Sequence, residues 1–182
     1  MEYYKVEHMK RLFFTLALLL FALSASAQSL VGSWSATVSD EDTESSEEAD
    51  SGLTMKGMDF LTFTETAYTR RINMTVTLSV RSKKEPDKRL DTDLRIKGSI
   101  NGTWTLLNGT LTLIPDKGAK PAISVETAEN FPGIIKALIV GECKKEIRQA
   151  LKETDASELV SLSDTQFIVK DDQGELTTYT RK

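Results

Sequence analysis

Histidine is nearly missing from this sequence: His8 is the one residue of its kind among 182. It falls in an N-terminal segment, 1–27, with the pattern of an export leader, so residues 28–182 hold none. That stretch therefore carries no Ser-His-Asp triad, no Cys–His pair, no H-E-x-x-H site and no three-His zinc site. Cysteine is as scarce. Cys143 alone makes neither an internal disulfide nor a Cys-x-x-Cys metal knuckle. A strong basic cluster is lacking too. The chain has 23 Lys and Arg against 27 Asp and Glu, a net charge of −4. Loss of the leader removes Lys5, Lys10 and Arg11 with Glu2 and Glu7, and leaves the remainder one unit more negative. Such a chain is a poor partner for nucleic acid. Together these gaps predict no enzyme activity, no cofactor and no metal site. The length suits one domain.

The leader has three parts. Residues 9–12 read Met-Lys-Arg-Leu, an apolar run from Leu12 to Leu23 is broken only by Thr15, and Ser24-Ala25-Ser26-Ala27-Gln28 ends it. A basic start, a short apolar core and an Ala-x-Ala ending predict a secretory signal peptide cut between Ala27 and Gln28. A run this short makes about 18 Å of helix, against a bilayer core of about 30 Å. Glu2 and Glu7 are odd in a basic leader, so Met9 is an alternative start. No cysteine follows the cut, which disfavours a lipid anchor. The expectation is a signal peptide over 1–27 and a single exported domain over 28–182, periplasmic or extracellular, with no transmembrane span.

Beyond the leader, alternation of period two dominates. From Tyr68 to Arg81, Ile72, Met74, Val76, Leu78 and Val80 share one face, and Arg71, Asn73, Thr75 and Thr77 the other. This is a long strand with one wet face. Met58–Glu65 alternates before it, with Phe60 and Asp59 on opposite faces. Leu90, Leu94, Ile96, Ile100, Trp104 and Leu106 share a parity with Gly98 and Gly102, glycines that suit a bulge or sharp bend. Asn108-Gly109 is a two-residue hairpin signal. From Pro132 to Glu153 the period changes: Ile135, Ile139, Cys143, Ile147, Ala150 and Leu151 form a helical stripe opposite Lys144, Lys145, Arg148 and Lys152. Further strands follow to Arg181. The prediction is a mainly β fold, an antiparallel up-and-down barrel of about eight or nine strands, with one amphipathic helix inserted before the last strands.

Leu30-Val31-Gly32-Ser33-Trp34 resembles the Gly-x-Trp opening of lipocalin-like proteins, and Thr177-Thr178-Tyr179-Thr180-Arg181 is similar to their last strand. Gly102-Thr103-Trp104 and Asn108–Leu113 also resemble small secreted bacterial lipocalin-like domains. The resemblance implies that Gly32, Trp34 and Arg181 close one end of the barrel, with Arg181 over the Trp34 ring in a cation–π contact. The helix stands before the last strands here, whereas lipocalins carry theirs after the eighth strand. This departure leaves the strand order open.

An inward face made of Tyr68, Arg70, Ile72, Met74, Val76, Leu94, Ile96 and Trp104 is the expected ligand-binding surface, with Arg70 as a clamp for an anionic amphiphile or as a solvated strand end. Residues 40–50 carry Asp40, Glu41, Asp42, Glu44, Glu47, Glu48 and Asp50 and read as a self-repelling loop at the barrel mouth, without EF-hand spacing. Cys143 on the apolar stripe reads as a small buried hydrophobe. Asp91 and Asp93 lie about 7 Å apart along a strand, with no cleft to make them an acid–base pair. Two functions follow. The first is an exported barrel that binds a small apolar or amphipathic ligand. The second is a filled barrel that binds another envelope or secreted protein.

Overall fold

The computed structural model describes residues 30–85, 87, 89–127 and 133–182. The leader, its cut site and Pro132 lie outside these residues. The first four strands are long: β1 (Gly32–Ser45), β2 (Ala49–Phe63), β3 (Ala67–Ser82) and β4 (Arg89–Leu107). Short ones follow: β5 (Thr110–Pro115), β6 (Ala122–Thr127), then helix α1 (Gly133–Lys152), β7 (Asp155–Leu162), β8 (Gln166–Lys170) and β9 (Leu176–Arg181). The order is β3-β2-β1-β9-β8-β7-β5-β4-β6, and β3 also pairs with β4. All pairings are antiparallel, so every strand except β6 belongs to one closed eight-stranded ring. The fold is a mainly β barrel with one helix before its final strands. Among the described residues no helix is long and apolar enough to cross a membrane.

Strand β4 explains how a ninth strand is accommodated. One of its edges pairs with β3 from Arg89 to Thr103. Its other edge is shared: Gly102–Leu107 pairs with β5, and Leu94–Ser99 pairs with β6. β5 and β6 are thus successive stretches along one edge. The ring closes where β5 meets β7, and beyond it a sheet of β1, β2, β3, β4 and β6 projects. The inward face of this extension would be wet, and α1 covers it. Val76, Leu94 and Ile96 are buried there, with Met74, Val125, Ile139, Cys143 and Ile147 packed around them. Leu151 on the same stripe reaches the main core, whereas Ala150 is exposed.

Local chemistry sets the turns. Asn108 (φ 52°) and Gly109 (φ 79°) are both left-handed, which the tight turn between β4 and β5 requires. Gly102 is needed for a different reason. A Cβ there would stand 2.2 Å from the Ile114 carbonyl oxygen and 2.7 Å from Cε1 of Tyr68. The backbones of β4 and β5 approach too closely for any side chain.

The acidic segment 40–50 is not a loop. Its residues continue β1 and open β2, in register from Asp40 opposite Met55 to Ser45 opposite Asp50. Only residues 46–48 turn, and Ser46 Oγ accepts the Ala49 N–H at 3.1 Å there. Lysines from the β3–β4 turn offset the repulsion that predicted a loop: Lys83 Nζ lies 3.2 Å from Asp50, and Lys84 Nζ 3.0 Å from Glu48. Serine and lysine hydrogen bonds hold the Asp50 carboxyl below its ordinary value.

Candidate functional site

The eight residues expected to line a ligand cavity all stand on the inward face, in two separate places. Tyr68 and Trp104 are buried in the ring, with Ile72 packed against the same core. Met74, Val76, Leu94 and Ile96 belong to the second cluster, under α1. Within the ring the aromatic side chains fill the space. Phe167 stacks on Tyr179 with centroids 4.6 Å apart and meets Trp34 edge-on at 5.0 Å; Phe63 meets Trp104 at 5.2 Å. Among the described residues, the cavity lined by Leu61, Leu111, Phe167 and Tyr179 measures about 20 Å³. That is room for about one water and for no organic molecule.

At one end of the ring, Cζ of Arg181 lies 4.6 Å from the centroid of the Trp34 ring, and its Nη2 donates to the Val31 carbonyl at 3.1 Å. Trp34 Nε1 donates to the Leu30 carbonyl at 2.7 Å. Gly32 (φ 137°) takes a conformation that suits glycine, directly beneath the Arg181 guanidinium.

Arg70 turns into the protein rather than toward solvent. Its Nε and Nη2 reach Asp59 Oδ2 at 3.0 and 2.8 Å, and its Nη1 reaches Asp155 Oδ2 at 3.2 Å. Tyr179 Oη donates to the same Asp59 oxygen at 2.9 Å. The Asp59 side chain is 3% exposed, and its Oδ1 has no hydrogen-bond partner. The fork that would clamp a ligand anion is therefore engaged by two carboxylates of the chain itself. Burial lowers the Arg70 pKa, but Asp59, Tyr179 and Asp155 outweigh it and drive the net shift upward. Burial, with Asp59 adding to it, pushes the Tyr179 phenol well above its ordinary 10.0.

A phenol with a raised folded pKa contributes stability that is complete below its unfolded value and lost as pH rises above it. Stability should therefore fall from about pH 10 upward. Tyr179→Phe should make that decline shallower, by up to about 1.4 kcal/mol per pH unit. Urea unfolding of both proteins at a series of alkaline pH values measures the difference; parallel declines would contradict it.

The alternation in β2 separates Phe60 from Asp59 without saying which of them faces inward. Asp59, Leu61 and Phe63 point into the ring and are buried. Phe60 lies on the outer face, opposite Ser35 on β1 and Arg71 on β3. Leu61 and Phe63 together outweigh Phe60 in apolar area, and that comparison would have found the inward face. The ammonium of Lys182 lies 4.1 Å from the Phe60 centroid, and the Lys182 N–H donates to the Ser33 carbonyl at 2.9 Å.

Phe60 marks the floor of a groove. Twist makes the outer face of long strands saddle-shaped, and a concavity of about 580 Å³ opens there, across β1, β2, β3, β4 and β6. Its rows follow the pairing register. One row runs Phe60, Arg71, Ser99, Ala122; the next runs Asn73, Lys97, Ser124. Thr62, Ser33 and Lys182 border the β1 side. Three cationic side chains line the groove, Arg71, Lys97 and Lys182, and no carboxylate side chain does. No ion pair among the described residues engages any of the three. A smaller recess nearby is balanced: Arg95 shares it with Asp93 and Glu126.

The other candidates stay apart from this groove. Asp93 accepts from Thr77 Oγ1 at 2.7 Å, and Asp91 and Asp93 are both exposed. Cys143 is half-buried on the sheet-facing side of α1, where burial and then Glu146 raise its thiol pKa. Among the described residues no group of three or more metal-ligating side chains forms. No protein-family model matches the chain, and no curated protein matches it significantly.

Proposed function

We propose that this is an exported, non-catalytic, lipocalin-like barrel that carries a small amphipathic molecule in the groove on its outer face. One contrast supports the reading: among the described residues, about 580 Å³ of open groove on the outer face, against about 20 Å³ in the cavity beside Tyr179 inside the ring. Small-molecule sites usually measure about 300–1,000 Å³ and combine apolar lining with a few polar groups. The groove has Phe60 and the Ala122 methyl for the first and hydroxyls, an amide and cations for the second. The barrel's own aromatics fill the position where a lipocalin-like interior would hold its ligand. The basic, apolar and small-residue order of 9–27 supports export.

Native mass spectrometry tests this on the full chain, expressed in an exporting bacterial host and recovered from its envelope and medium. The expected mass begins at Gln28 and carries a small-molecule adduct that unfolding releases. Ser99→Trp, which fills the groove without entering the core, should lose the adduct. An adduct retained by that variant would overturn the outer site. The filled interior also suits the second reading, a module that docks on another exported protein. A bare mass together with a co-purifying protein would favour it.

A further inference from the structure

We propose that the ligand is an anionic amphiphile, with a carboxylate, phosphate or sulfate head between Arg71 and Lys97 and its apolar part on Phe60. This rests on the groove being the binding site and adds the chemical class of what it binds. The pairing register places the cations. Arg71 stands directly between Phe60 and Ser99, and Lys97 stands between Asn73 and Ser124. Ser99 and Lys97 are two residues apart on β4, so Arg71 and Lys97 are diagonal neighbours, about 7–8 Å apart at the backbone. Both side chains are long enough to reach a single oxyanion between them. A guanidinium offers that oxyanion two parallel donors, and the ammonium adds a point charge.

Charge complementarity selects the head. The chain as a whole carries −4, yet this groove collects three cationic side chains and no carboxylate side chain. Elsewhere on the same face the one cation of a recess, Arg95, shares it with two carboxylates, Asp93 and Glu126. Unmatched neighbouring cations repel each other, and a bound anion relieves that repulsion. The surroundings select against larger anionic partners. Glu126 flanks the groove on β6, and the β1–β2 hairpin extends the sheet with carboxylates from Asp40 to Asp50. A bilayer or a nucleic acid would meet those charges too; a small soluble amphiphile meets only the groove. Phe60 supplies the apolar surface immediately beside Arg71.

Isothermal titration calorimetry with octyl phosphate, below its micelle concentration, tests the proposal, with octyl glucoside as the same tail on an uncharged head. One octyl phosphate should bind per chain, about tenfold or more tighter than octyl glucoside, the usual size of a charged hydrogen-bond contribution. Added salt should weaken the phosphate alone. The paired variant Arg71→Gln/Lys97→Gln should remove this preference while the thermal midpoint stays as in the parent. Ser99→Trp should abolish binding of both. Equal binding of the two amphiphiles, with the paired variant unchanged, would overturn the anionic head and leave the groove standing. Binding that survives Ser99→Trp, or no binding of either, would overturn the groove itself. Inorganic phosphate binding as tightly as octyl phosphate, or co-sedimentation with phosphatidylglycerol vesicles, would overturn the small amphiphile as the occupant.

Discussion

Arg70→Met is expected to destabilise the barrel by about 3–5 kcal/mol, the usual cost of stripping one partner from a buried ion pair. Three of the bonds that hold Asp59 and Asp155 come from this one guanidinium. Without it the Asp59 carboxylate keeps only the Tyr179 hydroxyl, and its Oδ1 already lacks a partner. Removing the whole set is a different experiment. In Asp59→Leu/Arg70→Met/Tyr179→Phe no buried charge is left alone. That variant should recover most of the loss, because buried ion pairs replaced by apolar groups are often neutral or better. Urea unfolding measures both. A single Arg70→Met variant within about 1 kcal/mol of the parent would mean that the pair is solvated, as exposed pairs are.

Phe167→Ala has an effect of similar size and a second consequence. The side chain is fully buried and meets Trp34, Phe63 and Tyr179 at ring distances of 5.0, 6.4 and 4.6 Å. Truncating a buried phenylalanine costs about 3–5 kcal/mol, part of it for the cavity left behind. That cavity would adjoin the existing space of about 20 Å³ beside Tyr179. The variant should therefore take up a small apolar molecule such as benzene inside the ring, and raise its thermal midpoint with it, while the parent does neither. A parent protein that binds benzene as well as the variant would show that its interior is open.

The fold was legible because strand period and turn chemistry agree over long stretches. Ile72 to Val80 on β3 and Leu94 to Trp104 on β4 alternate without a break, and Asn108-Gly109 fixes the turn after them. The stripe through Ile139, Cys143, Ile147 and Leu151 located the helix and its buried side. Local sequence did not reveal that the acidic run 40–50 continues a hairpin, because the stabilising partners, Lys83 and Lys84, come from a distant turn. The site was harder to read for the same reason. Asp59 reaches Arg70 across the β2–β3 hairpin, but Asp155 and Tyr179 are far away in sequence, and only barrel closure brings them there. The groove depends on register: Phe60, Arg71, Ser99 and Ala122 form one row only after three strand pairings are fixed. A cation such as Arg71 on a wet face looks like any solvated residue until its neighbours across the sheet are known.

Where the ligand sits is the most direct question, and a two-dimensional amide spectrum titrated with octyl phosphate answers it. The backbone amides of Phe60, Arg71, Asn73, Lys97, Ser99 and Ser124 should shift together and saturate together. The indole N–H of Trp104, bonded to the Thr64 carbonyl at 2.9 Å, and the amides of Phe63, Phe167 and Tyr179 should hold still. Shifts concentrated on those interior residues, with the outer rows unmoved, would contradict an external site and place the ligand inside the barrel.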